Sequence, residues 1–128
     1  MKRIPALQSL SREHHTALTL AKACERAVLS HDEEQVGKTC QRVLQAFSAE
    51  LEPHFQIEEQ SWLPLLRNAE NRPLEQRTLE DHRQLRALLD GLRKNDIKAL
   101  GSFGKLLIEH VRFEERELFP VLESLLPQ

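Results

Sequence analysis

The sequence predicts an all-α fold, an up-down-up-down antiparallel four-helix bundle. The first observation is composition: only 4 of the 128 residues are glycine, strand-type alternation is absent, and Leu, Ala, Glu, Gln and Arg, which lose little on entering a helix, dominate. The second is that signals for ending a helix occur in only three places. The third is that the connections are short, so helices adjacent in sequence become antiparallel neighbours.

The three breaks place the four helices at about 9–29, 33–67, 73–93 and 97–125. A chain of 128 residues has the length of one ordinary domain, and it can bury a core without disulfides. We therefore expect a single domain over 1–128.

Each break contains residues that favour a helix end. The first is SHDEE, where Asp32 is an N-cap followed by acidic residues in the first turn. The second is NAENRPLEQ, which offers Asn71 as a cap and Pro73 near the first helical position. The third is RKNDIKALGSFG, which carries Asn95 and most of the glycine.

Every helix carries an apolar stripe whose members step by three or four residues, as one buried face requires. Each stripe also contains a histidine, and the stripes of the second and fourth helices contain a glutamate as well. The members are Leu7, Leu10, His14, Leu18, Ala21 and Val28 in the first helix, Val36, Cys40, Val43, Phe47, Leu51, His54, Glu58, Trp62 and Leu65 in the second, Leu79, His82, Leu85, Leu89 and Leu92 in the third, and Leu100, Phe103, Leu107, His110, Glu114, Leu118, Val121 and Leu125 in the fourth.

Two segments on the second and fourth stripes repeat each other. HFQIEEQSWLP and HVRFEERELFP align position for position, with a histidine, two consecutive glutamates four and five residues later, and a proline ten residues after the histidine. The spacing of four places His54 and Glu58 on one helix face, and likewise His110 and Glu114.

Buried glutamates in these stripes need a counter-charge. Burying one unpaired carboxylate costs several kcal/mol, a large share of the roughly 5–15 kcal/mol that stabilises a domain. Neutral imidazoles supply no charge, and no Lys or Arg lies on the stripes beside Glu58 or Glu114. Two divalent or trivalent cations would supply it, because imidazole and carboxylate are ligands for iron, manganese or zinc. The predicted metal ligands are His14, His54, Glu58, His82, His110 and Glu114.

A simpler interpretation exists for any one of these positions. A single inward histidine is more often a hydrogen-bonded core residue than a ligand, but four histidines and two glutamates on buried faces, with two segments repeating, favour a metal site. Of the other histidines, His31 lies in a predicted loop, and we expect it to face solvent. His15 can replace His14; we prefer His14 because Ala17, Leu18 and Ala21 follow it on the same face.

Composition excludes several classes of function. With 20 acidic and 18 basic side chains, the net charge is −2, and no run of Lys or Arg is dense enough to follow a phosphate backbone, so we expect no nucleic-acid partner. No apolar stretch approaches a membrane span, and MKRIPALQSL lacks the apolar core of a secretory signal. Cys24 and Cys40 are too few for a disulfide framework. We expect a soluble, cytoplasmic protein without a membrane partner.

Four segments, LSREHH, HFQIEEQSWLP, EDHRQL and EHVRFEERELFP, together resemble the hemerythrin-like, HHE cation-binding domain, over the chain from Leu10 to Leu126. The two H-x3-E-E segments with their prolines are the more specific part. The resemblance implies a four-helix bundle around a non-heme di-iron centre, two iron ions with an oxo or hydroxo bridge, ligated from all four helices. Carried over position by position, the implied ligands are His14, His54, Glu58, His82, His110 and Glu114.

The same resemblance implies what the centre binds. Such proteins transport or store oxygen, sense oxygen, nitric oxide or redox state, or handle iron. We therefore expect a small diatomic ligand such as O2 or NO, and the sequence names no protein partner. We assign no catalytic residue and leave open whether the centre has oxygen- or peroxide-reactive chemistry.

This chain departs from the oxygen-carrying members that it resembles. They have two histidines four apart on the third helix, whereas Thr78 and Arg86 stand four before and four after His82. They also have an aspartate five residues after the last histidine, where this chain has Glu115. With an oxygen bridge, each iron is then about five-coordinate, which favours redox, peroxide or sensor chemistry over reversible carriage. The candidates for a further coordination position on either iron are His15, Glu59, Glu115 and water.

Three alternatives belong to other classes. A ferritin-like site uses Glu-x-x-His on two helices, and no histidine here has a glutamate three residues before it. Zinc or manganese can occupy the same His and Glu set. A metal-optional interaction or regulatory module is the third, in which Cys24 and Cys40 approach each other across the first turn as a thiol switch, although inert buried cysteines explain them more simply.

Two further expectations concern the surroundings of the site. Apolar residues near the stripes can wall a pocket for diatomic ligands, although most of them serve simply as core. Pro53 removes a backbone hydrogen bond to Ala49, so we expect a kink or local strain beside His54. The wall candidates are Phe47, Leu51, Trp62, Phe103, Leu107, Phe113 and Leu118.

Overall fold

The computed structural model describes residues 3–126, and within that range the backbone is helical almost throughout and contains no strand. The all-α prediction is confirmed. The elements are α1 (Pro5–Ser30), α2 (Glu33–Ala46), a π-helical segment (Phe47–Leu51), α3 (Glu52–Ile57), a second π-helical segment (Glu58–Trp62), a 3-10 segment (Leu63–Leu66), α4 (Arg72–Ala87), α5 (Leu89–Arg93), α6 (Ile97–Phe113), a third π-helical segment (Glu114–Leu118) and α7 (Phe119–Leu125).

Consecutive elements join into four long helices in the described part of the chain. We call them the first helix (5–30), the second (33–66), the third (72–93) and the fourth (97–125). The predicted bounds agree within one residue, except that the first helix begins at Pro5 and not near 9. Residues 1, 2, 127 and 128 of the expected single domain lie outside the described residues, and the single domain stays a prediction.

Local chemistry sets the helix ends. Pro5 occupies the first helical position, where its missing N–H costs nothing, and this explains the early start. The first helix ends at His31, whose φ of 54° lies in the left-handed region. Asp32 then caps α2, as predicted, by accepting a hydrogen bond of 3.0 Å from the amide of Glu34. At the third break Asp96 caps α6 by accepting a hydrogen bond of 2.9 Å from the amide of Lys98.

Three prolines follow the π-helical segments and explain why the backbone widens there. Proline has no N–H, and its ring clashes with the carbonyl four residues earlier, so a wider turn relieves the clash. In each case the amide just before the proline donates to the carbonyl five residues back; the pairs are Glu52 with Phe47 before Pro53, Leu63 with Glu58 before Pro64, and Phe119 with Glu114 before Pro120. The distortion expected beside His54 therefore takes the form of a π turn.

Contacts between the helices pair rising residue numbers on one helix with falling numbers on the other. Examples are Glu13 with His54 for the first and second helices, Glu52 with Arg86 and Arg67 with Glu75 for the second and third, Asp81 with His110 and Gly91 with Ala99 for the third and fourth, and His14 with Glu114 and Ala21 with Gly104 for the first and fourth. This arrangement is consistent with a four-helix bundle, and the up-down-up-down order stays a prediction.

Gly104 allows the first and fourth helices to approach closely. A Cβ at this position would lie 2.9 Å from the Cβ of Cys24 and 3.2 Å from the carbonyl of Ala21. Any larger residue would therefore push these two helices apart.

The apolar core has two clusters with a polar layer between them. The larger cluster contains Ala17, Leu51, Phe55 and Leu107, and the smaller contains Leu10, Leu63, Phe113 and Leu118, among others. The buried His and Glu positions fall between these residues along each helix. The polar layer is therefore sealed by packed side chains above and below.

Some stripe residues are not buried, and the local backbone explains why. Leu65, predicted inward, is 40% exposed because it lies in the 3-10 segment that follows a π turn, and these two turns rotate the helix face. On the third helix Thr78 is buried and Leu79 is 42% exposed, since Thr78 lies one full turn before the buried His82. Leu125, at the end of α7, is also 42% exposed. Among the described residues, no helix is both long enough and apolar enough to cross a bilayer.

Candidate metal centre

The structure brings all six predicted ligands together in the polar layer. Their exposed fractions are 5% for His14, 5% for His54, 1% for Glu58, 0% for His82, 2% for His110 and 0% for Glu114. They form two groups of four whose donor atoms lie within 4.8 Å of one another. One group contains His14 and His54 and the other contains His82 and His110, and both share the two glutamates.

In each of the four buried histidines, Nε2 faces a carboxylate oxygen of Glu58 or Glu114. The Nε2 to oxygen distances are 2.8 Å for His14 with Glu114, 3.2 Å for His54 with Glu58, 3.0 Å for His82 with Glu58 and 3.3 Å for His110 with Glu114. Two donors about 2.1 Å from one ion, at angles of 90–110°, lie about 3.0–3.4 Å apart. Three of the four separations lie in this range and suit donors that share an ion, and the contact of 2.8 Å between His14 and Glu114 is slightly shorter.

The other nitrogen, Nδ1, is bonded to an outer carboxylate in all four histidines. The four distances run from 2.5 to 2.8 Å, and the pairs are His54 with Glu13, His82 with Glu59, His110 with Asp81, and His14 with Glu115. Since a carboxylate accepts, each Nδ1 donates, and Nε2 is the nitrogen that faces the centre. The four outer carboxylates thereby aim each imidazole at the centre.

These outer carboxylates, which we call the carboxylate ring, follow the order of the helices. Glu13 of the first helix orients a histidine of the second, Glu59 of the second orients one of the third, and Asp81 of the third orients one of the fourth. Glu115 of the fourth returns to His14 of the first and closes the ring. Each helix therefore orients a ligand of the next, and the site depends on all four being docked.

Arginines hold three members of the carboxylate ring. Glu115 pairs with Arg3 at 3.1 Å, Glu59 with Arg86 at 2.9 Å and Asp81 with Arg77 at 3.1 Å. Arg86 also binds Glu52, which explains the raised pKa of its guanidinium and the lowered pKa of the Glu52 carboxyl. Within residues 3–126, no Lys or Arg pairs with Glu13, whose side chain is 46% exposed. Glu13 is thus the least restrained member.

Within residues 3–126, three atoms of the proposed ligands lack a hydrogen-bond partner, whereas Nε2 of His14 and of His82 each contacts a glutamate oxygen. Among the described residues, the buried side-chain atoms without a hydrogen bond are Glu58 Oε2, Glu114 Oε2, His110 Nε2 and Trp62 Nε1. Three of these four belong to the proposed ligands. A lone pair on Nε2 facing a carboxylate oxygen is a contact between two acceptors, which only a proton or a metal ion between them makes favourable.

The protonation of the metal-free site reflects the same charges. Burial lowers the pKa of His54, but hydrogen bonds to Glu114 and Glu58 and their negative charge outweigh it and raise that pKa to about 11. In His110, burial is likewise outweighed, by the charge of Glu114 and the bond to Asp81, and the pKa rises to about 10. Burial also lowers the pKa of His14, but its hydrogen bonds to Glu114 and Glu115 outweigh burial and leave that pKa raised. Without a metal, the surrounding carboxylates therefore favour the protonated form of these three imidazoles.

Comparison with protein-family models matches residues 6–122 to the hemerythrin HHE cation binding domain. The chain belongs to this family. The match covers the first helix through α7 and includes all six predicted positions, so the resemblance seen in the sequence is confirmed. Comparisons with curated proteins and with solved structures gave no match. For this hemerythrin-like chain, the buried His and Glu cluster fits the cation site that the family description names.

The other candidate residues lie outside the inner cluster. His15 and His31 are exposed. Glu59 and Glu115, considered as extra ligands, belong to the carboxylate ring. Arg86, four residues after His82, pairs with Glu59.

The cysteines lie away from the cluster. Cys24 and Cys40 are both buried and free. Burial and the neighbouring Cys40 raise the pKa of the Cys24 thiol to about 12. A thiol of this kind has almost no thiolate at neutral pH, which favours the inert interpretation.

Aromatic rings hold two of the imidazoles in place. Phe55 stacks on His82 with centroids 3.9 Å apart and an interplanar angle of 13°, and Phe119 stacks on His14 at 5.2 Å and 8°. Neither was among the expected wall residues. Of those, Leu51 and Leu107 line a small cavity beside the centre, together with Phe55.

The sequence analysis missed the carboxylate ring, although a signal was present. Each ring member is the immediate neighbour of a proposed ligand in the sequence: Glu13 precedes His14, Asp81 precedes His82, Glu59 follows Glu58 and Glu115 follows Glu114. A residue next to an inward position on a helix points about 100° away, toward the adjacent helix. An acidic residue beside each inward ligand therefore predicts such contacts.

Proposed function

We propose that this hemerythrin-like chain is a non-heme di-iron protein that binds a small diatomic ligand such as O2 or NO. The observation that carries the proposal is the orientation of the four histidines. Each Nδ1 donates to the carboxylate ring, and each Nε2 lies 2.8–3.3 Å from an oxygen of Glu58 or Glu114. This donor set suits two cations bridged by two carboxylates.

The proposed ligands divide into two equivalent sets. His14 and His54 would hold one ion and His82 and His110 the other, with Glu58 and Glu114 available to both. The protein would thus offer each ion two imidazole nitrogens and carboxylate oxygens from two glutamates. Bound iron would supply redox chemistry and positions open to a diatomic ligand, and the chain itself would hold the six donors and keep bulk water out.

Iron is favoured over zinc by the donors. The cluster has nitrogen and oxygen donors only, and both cysteines lie in the apolar core away from it. Structural zinc sites commonly use thiolates, whereas bridged His and carboxylate sites are typical of di-iron and di-manganese centres. Zinc and manganese remain the rival ions.

The proposed function is tested by metal content. The protein is loaded anaerobically with ferrous iron, desalted and measured for iron per chain. It is then oxidised in air, and its visible absorption is recorded before and after addition of azide. We expect about two irons per chain, with charge-transfer bands that respond to azide. His54→Ala and His110→Ala should each lower the iron content, and His31→Ala, which changes an exposed histidine, should not. Protein that stays iron-free after this loading, or that is colourless and holds zinc after expression in iron-rich medium, would contradict the proposal.

A further inference from the structure

A surface groove adjoins the small cavity beside the metal centre. The groove has a volume of about 200 Å³ and runs between the first and second helices. The inner cavity has a volume of about 10 Å³, the size of about one water molecule, and includes Val111 and Leu107 in its wall. The two spaces share four residues, Glu13, Ala17, Leu51 and His54. One layer of side chains therefore separates solvent from the centre here.

The groove is built from small residues on a widened backbone. Ala17 of the first helix and Ala46 and Ala49 of the second line it, and Ala49 belongs to the π-helical segment Phe47–Leu51. Pro53, which also lines the groove, removes the amide that would otherwise bond the carbonyl of Ala49. The proline and its π turn thus help to shape an opening at this point of the bundle.

The wall between groove and cavity contains the least restrained carboxylate of the ring. Glu13 is half-exposed and, among the described residues, is held by His54 but by no Lys or Arg. The Glu13 side chain can rotate into the groove without breaking an ion pair with an arginine, whereas each of the other three members of the carboxylate ring would have to break one. Glu13 and Glu50 also give the groove negative charge, which disfavours anions and leaves neutral molecules unhindered.

We infer that this groove is the route by which a neutral diatomic molecule reaches the metal centre, with Glu13 and Leu51 as the movable part of the wall. The inference rests on the proposed function for its ligand, but the route itself is a property of this fold. Filling the groove should therefore slow entry without changing the ligands of the metal.

Dissolved O2 tests the route without iron. Molecular oxygen is paramagnetic and enhances the relaxation of methyl protons that it approaches, so it can be followed by NMR in the diamagnetic zinc-loaded protein. We expect enhancement at the methyl groups of Ala17, Leu51 and Val111. Ala49→Trp, which places an indole in the groove from an exposed position, should reduce it at Val111 while the exposed Leu29 stays unchanged.

The matched control is Ser48→Trp, an exposed position in the same π-helical segment that does not line the groove. A second blocking variant, Thr16→Trp, fills the groove from the first helix. It shows whether any reduction seen with Ala49→Trp comes from filling the groove or from a change of the backbone around residue 49. Unchanged enhancement at Val111 in both blocking variants, or equal loss in the control, would overturn the route.

Nitric oxide gives the second readout, in the ferrous-loaded protein by stopped flow. Ala49→Trp should slow association by about tenfold at unchanged iron content, while Ser48→Trp stays within about twofold of wild type. Equal rates in all three proteins would contradict the route. Because the oxygen measurement needs no iron, failure of the di-iron proposal and failure of the route give different results.

Discussion

Replacing Asp81 tests whether the carboxylate ring contributes to metal binding. Asp81 Oδ2 accepts a hydrogen bond from His110 Nδ1 at 2.8 Å, where His110 is 2% exposed. Asp81→Ala removes the acceptor, so the imidazole loses the contact that fixes its tautomer and orientation. The variant keeps all six proposed ligands and should therefore still bind metal, but more weakly.

The expected magnitude follows from the kind of contact. A hydrogen bond to a charged group contributes about 1.5–3 kcal/mol, and losing an outer partner of a metal-bound histidine costs about 10–100-fold in affinity, or about 1.4–2.8 kcal/mol. The two ranges agree. Asp81→Asn keeps an oxygen acceptor but loses the charge, so its loss should be smaller than that of Asp81→Ala.

Competition with a chromophoric chelator measures the affinity, and far-UV circular dichroism checks that each variant is folded. Glu80→Ala is the matched control, because Glu80 is the adjacent carboxylate on the same helix and pairs with the exposed Arg83 instead of a histidine. We expect Glu80→Ala to bind metal within about twofold of wild type. Equal affinities for Asp81→Ala and Glu80→Ala would refute the role assigned to the ring.

Two further predictions concern the protons and the core. Loading with a divalent metal at pH 7 should release protons in a pH-stat titration, because the pKa values of His14, His54 and His110 are raised in the metal-free fold. The number of protons released should fall as the pH rises through about 10 for His110 and about 11 for His54. No release of protons at pH 7 would contradict this prediction. Phe55→Ala should lower the free energy of unfolding in urea by about 3–5 kcal/mol, because Phe55 is 1% exposed and stacks on His82. The control Ile57→Ala, at a 45% exposed position, should lower it by less than about 1 kcal/mol. Similar losses in both variants would contradict the stabilising role of the stacked Phe55 ring.

Much of the fold follows from local rules that the sequence displays. Asp32 marks the start of α2 because a short acidic side chain can cap the free amides there. The start at Pro5 was missed because helix content was judged from apolar spacing, which begins later than the proline that fits the first turn. The apolar period alone does not decide between adjacent positions, so Leu79 was expected inward where Thr78 lies.

The six inner positions could be predicted because burying His and Glu is costly and leaves a strong pattern. The outer carboxylates could not be assigned in the same way, since acidic residues beside a stripe are also typical of solvated helix faces. Glu59 and Glu115 were considered as ligands, and only the packing of neighbouring helices shows that they face Nδ1 of His82 and His14. The π turns at Glu58 and Glu114 depend on how each proline is accommodated, which spacing does not reveal.

Anomalous diffraction from crystals of the iron-loaded protein, collected on both sides of the iron edge, tests the central claim most directly. We expect two peaks between Glu58 and Glu114, one beside Nε2 of His14 and His54 and the other beside Nε2 of His82 and His110. A single peak, no peak in this layer, or coordination through Nδ1 would contradict the account.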